Sequence, residues 1–198
     1  MTDAIRRYVR AVDTLNRWIG RGAMYLIFAL FGVLLWSSVS KTLFTPSLWT
    51  LETAQFLMMA YFVMGGAYSI QLGSNVRMDL FYGGWSMKTK AWVDAFTVLF
   101  LMFYLVVLLY GAIGSTAYSL GYFGVEPVAF FKDLSVALIT EGPAAARAHL
   151  GFLERSSTAW RPYLWPVKAM LCVGIFLMLL QSLAELFRDI ARLRGVDL

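Results

Sequence analysis

The chain has 198 residues, of which 60% are hydrophobic and only 15% are charged, and its formal net charge is +5. This small share of charged residues cannot cover the surface of a water-soluble globule of this size. The composition therefore excludes a soluble protein and indicates that the bilayer is the solvent. One cysteine, Cys172, and one histidine, His149, exclude an intrachain disulfide, a cysteine metal cluster and bis-histidine haem ligation. We therefore expect neither a cofactor nor a metal site.

Residues 1–21 predict a cytoplasmic amphipathic helix. One of its helical stripes is apolar, and a second stripe is basic and contains Arg6, Arg10, Arg17 and Arg21. This pattern is typical of a helix that lies on a membrane surface. The alternative is the start of a signal peptide, since Ser38 and Ser40 resemble a cleavage site. The long charged segment favours an uncleaved anchor.

Four long uncharged runs predict four transmembrane helices. The runs cover residues 22–40, 53–76, 95–125 and 169–184. A helix needs about 20 mostly apolar residues to cross a bilayer. The predicted fold is therefore all-α and integral to the membrane, a single domain over residues 1–198, with spans at 22–41, 51–74, 94–122 and 164–187. Because the last run is short, we expect Lys168 to extend toward the membrane interface.

The distribution of basic residues predicts the orientation. The N-terminal segment, the second loop and the tail at 188–198 would share one side of the membrane, and together they hold 11 of the 17 Lys and Arg residues. The positive-inside rule therefore puts both termini in the cytoplasm. This asymmetry, together with anionic lipid, explains the net charge better than a nucleic-acid partner does.

The segment at 123–161 predicts a periplasmic arm. Residues 127–139 are mostly apolar, residues 141–143 interrupt them, and residues 144–155 favour a second short helix. The apolar part is too short to cross, so we expect an interfacial arm on the outer leaflet. A re-entrant segment is the alternative.

Small residues recur at every fourth position in two of the predicted spans. The second span carries Gly65, Ser69 and Gly73, and the third carries Gly111, Ser115 and Ser119. Membrane helices use such faces to bring their backbones close together. Either the two faces pack on each other within the chain, or one of them binds a partner protein.

Polar residues at the predicted membrane edges have several interpretations. Glu52 begins the second span, where it either complements the helix dipole or contacts a partner. Arg77 and Asp79 form either a local pair or an intersubunit contact. Lys168 lies near a helix N-terminus, so a lipid phosphate, an acid of this chain or a partner must compensate its charge. Trp165 is an expected interface aromatic or lipid contact.

The inner parts of the predicted spans contain no ionisable residue, and Gln181 is their strongest polar group. Proton relays and substrate paths in membranes usually depend on ionisable side chains. An interhelical hydrogen bond explains Gln181 adequately. No catalytic set or glycine-rich phosphate loop is recognisable, so we expect neither an enzyme nor a self-sufficient pump.

Two stretches resemble a known family. ETAQFLMMAYFVMGGAYSIQLGSNVRMDL, with Asp94 opening the next span, and RPYLWPVKAMLCVGIFLMLLQSLAEL resemble the small membrane subunit of tripartite ATP-independent periplasmic (TRAP) transporters. The chain departs from the family pattern at Asn75, where histidine is common, and at Cys172, where proline is common.

The resemblance implies a non-catalytic scaffold in the bacterial inner membrane. Its partners would be a large multispan subunit, which holds the sodium and substrate sites and moves like an elevator, and a periplasmic substrate-binding protein that delivers organic acids. The main alternative is a self-assembling four-span channel or small exporter. A membrane enzyme is a third hypothesis, against which the lack of paired ionisable residues counts.

Overall fold

The computed structural model describes residues 3–73 and 84–194. Among these residues the predicted all-α fold is confirmed, since they form helices and no strand beyond the isolated bridge between Arg155 and Tyr163. The helices are α1 (Asp3–Met24), α2 (Leu26–Leu43), α3 (Thr50–Gln71), α4 (Met87–Ser119), α5 (Pro127–Thr140), α6 (Pro143–Ala148) and α7 (Trp165–Leu193).

Three helical stretches in the described part of the chain are long and apolar enough to cross a membrane. They are Asp3–Leu43, Trp92–Ser119 and Trp165–Leu193. The second predicted span, now α3, is not among them. Its polar residues, Glu52, Gln55 and Gln71, lower its mean hydropathy.

Helices α1 and α2 form one nearly continuous run, whereas the sequence suggested a boundary after residue 21. Tyr25, between them, keeps right-handed helical angles (φ −74°, ψ −16°), and its carbonyl accepts a hydrogen bond from the Phe28 amide at 3.1 Å. The apolar stripe of α1, expected to face lipid, is divided. Val9 and Val12 are buried against α7, while Trp18 is 80% exposed.

Helix α7 lies at the centre of the bundle and packs on α1, α3 and α4. Leu105 and Ala112 of α4 form one buried cluster with Ile175 of α7. On the α3 side, a Cβ added to Gly174 would collide with Val63. Close backbone approach at glycine therefore joins α3 to α7, as is usual for helices in membranes.

Helix α4 starts earlier than the predicted span at 94–122. Its N-cap is Ser86, whose hydroxyl accepts a hydrogen bond from the Thr89 amide at 3.3 Å. At the other end Gly121 has φ +87°, and the Tyr122 amide donates to the Ala117 carbonyl at 3.0 Å, which is the hydrogen bond of a Schellman cap.

The arm after α4 folds back onto the bundle. Helices α5 and α6 are separated at Gly142, as predicted, but α6 ends at Ala148 rather than near residue 155. The reason is that the Gly151 amide donates to the Leu120 carbonyl at 3.0 Å, which brings the chain back to the end of α4. A Cβ on Gly121 would lie 2.5 Å from the Gly151 Cα, so both glycines permit this approach.

The last helix extends beyond the predicted fourth span at 164–187. Helix α7 runs to Leu193, so much of the predicted tail at 188–198 is helical. Asp189, which lies in this last part of α7, is buried. Its carboxylate accepts a hydrogen bond from the Arg192 guanidinium at 2.9 Å, which compensates the buried charge.

Substituting Gly174 by alanine tests the α3–α7 contact. We expect Gly174→Ala to lower the free energy of unfolding by about 1–3 kcal/mol, because the new methyl group overpacks the contact with Val63. Gly111→Ala is the matched control, since its Cβ meets nothing within 4 Å. Thermal unfolding of the detergent-purified chain measures both, and equal midpoints for the two variants would contradict the contact.

Candidate functional site

A buried carboxylate connects the start of α3 to the arm. Glu52 is only 4% exposed, and its Oε1 accepts hydrogen bonds from the hydroxyls of Ser156 and Thr158. Its Oε2 is buried without a hydrogen-bond partner in the described part of the chain. Glu52 lies in the first turn of α3, where an acid complements the helix dipole, as one of the two interpretations proposed. Its contact with the arm was not anticipated.

Lys168 is compensated by an acid of this chain, one of the three alternatives that the sequence left open. Its Nζ lies 2.5 Å from Glu154 Oε2 and donates to the Ser115 carbonyl at 3.4 Å. The Glu154 amide in turn donates to the Ser119 carbonyl at 3.0 Å. The ion pair therefore ties the arm to both α4 and α7. Trp165, the first residue of α7, is exposed.

A short antiparallel pairing shapes the return segment, residues 149–164. The Ser156 amide donates to the Pro162 carbonyl at 2.9 Å, and the Leu164 amide donates to the Glu154 carbonyl at 3.2 Å. This pairing holds Ser156 toward Glu52 while Glu154 reaches Lys168. The sequence contains no turn motif that would have revealed this arrangement.

The small-residue face of α3 is open only in part. A Cβ on Gly65 would meet nothing within 4 Å, and Ser69 is half-buried. Gly73 has φ +62° and follows the C-cap residue Leu72, so it serves to end the helix. Only Gly65 and Ser69 are therefore left as members of a helix face.

The small-residue face of α4 is divided in a similar way. Gly111 is exposed, and a Cβ there also meets nothing within 4 Å. Ser115 is exposed except for its carbonyl contact with Lys168, whereas Ser119 is fully buried and its hydroxyl donates to the Thr116 carbonyl at 2.7 Å. The two predicted faces do not meet at their glycines.

Other glycines provide the close contacts inside the chain. Added Cβ atoms at Gly20, Gly66 and Gly174 would collide with Tyr68, Met178 and Val63, respectively. Their spacing in the sequence does not distinguish them from the other glycines of these helices. Gly65 and Gly66 are adjacent, so spacing alone does not show which of them faces a neighbouring helix.

A second polar cluster joins α1 to α7 at the opposite end of the bundle. The Asn16 amide donates to Gln181 Oε1 at 2.7 Å, which confirms the interhelical hydrogen bond expected for Gln181. The Gln181 amide donates to Asp13 at 3.1 Å and to Glu185 at 3.2 Å. Arg188 bridges both carboxylates. Asp13 and Asn16 were missed, although they interrupt the apolar stripe of α1.

Two predicted residues cannot be assigned a position. Arg77 and Asp79 lie outside the described residues, as does Asn75, so the choice between a local pair and an intersubunit contact stays a prediction. Within residues 3–73 and 84–194, no group of three or more His, Cys, Asp and Glu side chains is arranged to hold a metal ion.

Removing the Glu52 carboxylate tests its hold on the arm. We expect Glu52→Ala to accelerate amide hydrogen exchange in residues 154–164 by about tenfold or more. Each hydrogen bond to a charged group stabilises by about 1.5–3 kcal/mol, and the variant loses the bonds that Glu52 accepts from the arm. Glu141→Ala, which removes an exposed acid from the same arm, is the control and should leave exchange unchanged. Unaltered protection in Glu52→Ala would show that the arm is held elsewhere.

Comparison with protein families gives a match that covers most of the chain. The family described as "Tripartite ATP-independent periplasmic transporters, DctQ component" matches residues 30–192. Comparisons with curated proteins and with solved structures give no match. The matched region includes α3, α4, the arm and nearly all of α7, and therefore both the Glu52 and the Lys168 contacts. The chain belongs to the DctQ family and is the small membrane component of a TRAP transporter.

Proposed function

We propose that this chain is the non-catalytic scaffold subunit of a sodium-coupled, binding-protein-dependent importer of organic acids in the bacterial inner membrane. The family match over residues 30–192 carries the proposal. The sodium and substrate sites lie in a large elevator-type subunit, and a periplasmic binding protein delivers the substrate. This chain serves as a fixed support for the large subunit within the membrane.

The proposed topology has four spans, which are the three long apolar stretches described above and α3. The 22 residues of α3, at about 1.5 Å each, extend over about 33 Å, which is enough to cross the hydrocarbon core. Contacts with α1, α2 and α7 along its length support this assignment despite its lower hydropathy. Both termini are cytoplasmic in this topology, and the arm is periplasmic.

A scaffold must be rigid, and the contacts inside the chain support that role. The Lys168–Glu154 pair fastens the arm at one end of the bundle, and the Arg188 pairs with Asp13 and Glu185 join α1 to α7 at the other. Between the ends, α7 packs closely against α3 and α4. The polar clusters thus hold the helices together and leave no unpaired acid along α7 to serve a transported ion.

The surface proposed to bind the large subunit includes the open glycines. Gly65 on α3 and Gly111 on α4 leave room for an approaching helix backbone. Gly111 shares a helical face with Phe100, Tyr104 and Val107, all of which are exposed and apolar or aromatic. Such a face suits either lipid or a partner helix, and the small residue within it favours the partner.

Purification and reconstitution test the proposed function. We expect the chain to co-purify from native membranes with a much larger membrane protein. Vesicles with this chain alone should show no sodium-driven uptake of organic acids, whereas vesicles with both subunits and the binding protein should take them up. Uptake by the chain alone would overturn the proposal, and homo-oligomers without a larger partner would favour a self-assembling channel or small exporter.

Adjacent glycines of α3 separate partner binding from internal packing. We expect Gly65→Leu to abolish co-purification with the large subunit while the isolated chain stays folded, because the new side chain extends into open space. Gly66→Leu should instead destabilise the isolated chain, since its Cβ would lie 2.7 Å from the Met178 sulfur. Circular dichroism and affinity pull-down measure the two effects. Intact co-purification of Gly65→Leu would exclude this face.

A further inference from the structure

A polar cavity lies at the end of the bundle that contains the Arg188 cluster. It is an open cleft of about 430 Å³ between α1, the C-terminal end of α3 and the last turns of α7. This volume is within the range of small-ligand sites. Four arginines and two acids line it, namely Arg17, Arg21, Arg188, Arg192, Asp13 and Glu185.

Only some of the charged side chains around the cavity have an ion-pair partner among the described residues. Arg188 is shared by Asp13 and Glu185, and Arg192 pairs with Asp189 behind the cavity wall. The four arginines and two acids that line the cavity leave it a formal charge of +2. Arg17 and Arg21 have no ion pair with another described residue. They lie one turn apart on α1, so both guanidinium groups border the same side of the cavity.

One edge of the cavity is apolar. Leu72, which lines it at the C-terminal end of α3, is 61% exposed. This edge gives the cavity a surface that suits the apolar part of a lipid.

We infer that this cavity binds the phosphate group of an anionic phospholipid. A phosphodiester bears a negative charge, which the positive lining attracts, and guanidinium groups bind phosphate oxygens through paired hydrogen bonds. The exposed Leu72 at the edge of the cavity favours a lipid over free phosphate. The cavity's place in the cytoplasmic leaflet rests on the proposed function, but the charge argument does not.

Lipid titration of the full chain tests the site. Binding of phosphatidylglycerol and of phosphatidylcholine to the detergent-purified chain is measured by native mass spectrometry. We expect phosphatidylglycerol to bind more tightly, and Arg17→Gln/Arg21→Gln to weaken it by about tenfold or more. Arg7→Gln/Arg10→Gln removes the same charge from exposed positions of α1 outside the cavity and should change affinity less than about twofold.

Three results would overturn the inference. Equal loss in both double variants would mean that net charge, not the cavity, attracts the lipid. Equal binding of the two lipids would remove the requirement for an anion. Displacement of phosphatidylglycerol by millimolar inorganic phosphate would assign the cavity to free phosphate instead of lipid. None of these measurements involves transport, so they are independent of the importer proposal.

Discussion

The bundle depends on the close approach of α3 to α7 at Gly174. No Cβ fits there beside Val63, so the two backbones come closer than side chains would otherwise allow. Lipid tails are as apolar as leucine and provide no hydrophobic drive for helix association, so such contacts must come from packing. With α3 in this position, the opposite side of α7 is free to pack Ile175 against Leu105 of α4. A substitution that separates α3 from α7 therefore affects the whole arrangement.

Polar contacts then fix the two ends of the bundle in different ways. At one end Glu52 and Lys168 bind the returning arm, so a segment without long helices becomes part of the rigid body. At the other end Asn16 and Gln181 form a buried amide pair beside Asp13 and Arg188. Buried polar groups are costly without partners, so each pair favours one alignment of its two elements.

Glycines are used for two purposes in this chain, and the distinction bears on function. Gly20, Gly66 and Gly174 are small because a side chain of the same chain occupies the space beside them. Gly65 and Gly111 have open space beside them, which is what a second membrane protein needs in order to approach closely. The proposed scaffold role would use both sets, one for packing inside the chain and the other for binding the large subunit. The cavity beside Arg17 and Arg21 would add a lipid contact to that scaffold.

Hydropathy and helical period are local properties, so the sequence by itself determined the all-helical membrane fold, the approximate position of each helix and, through its resemblance, the transporter family. It did not determine the end of α6, because that depends on the approach of Gly151 to Gly121. It left three partners open for Lys168 and two roles for the small-residue faces. Only the tertiary structure selected Glu154 for Lys168 and the inward glycines for packing, because these choices depend on how each helix is rotated and how deeply it sits against its neighbours.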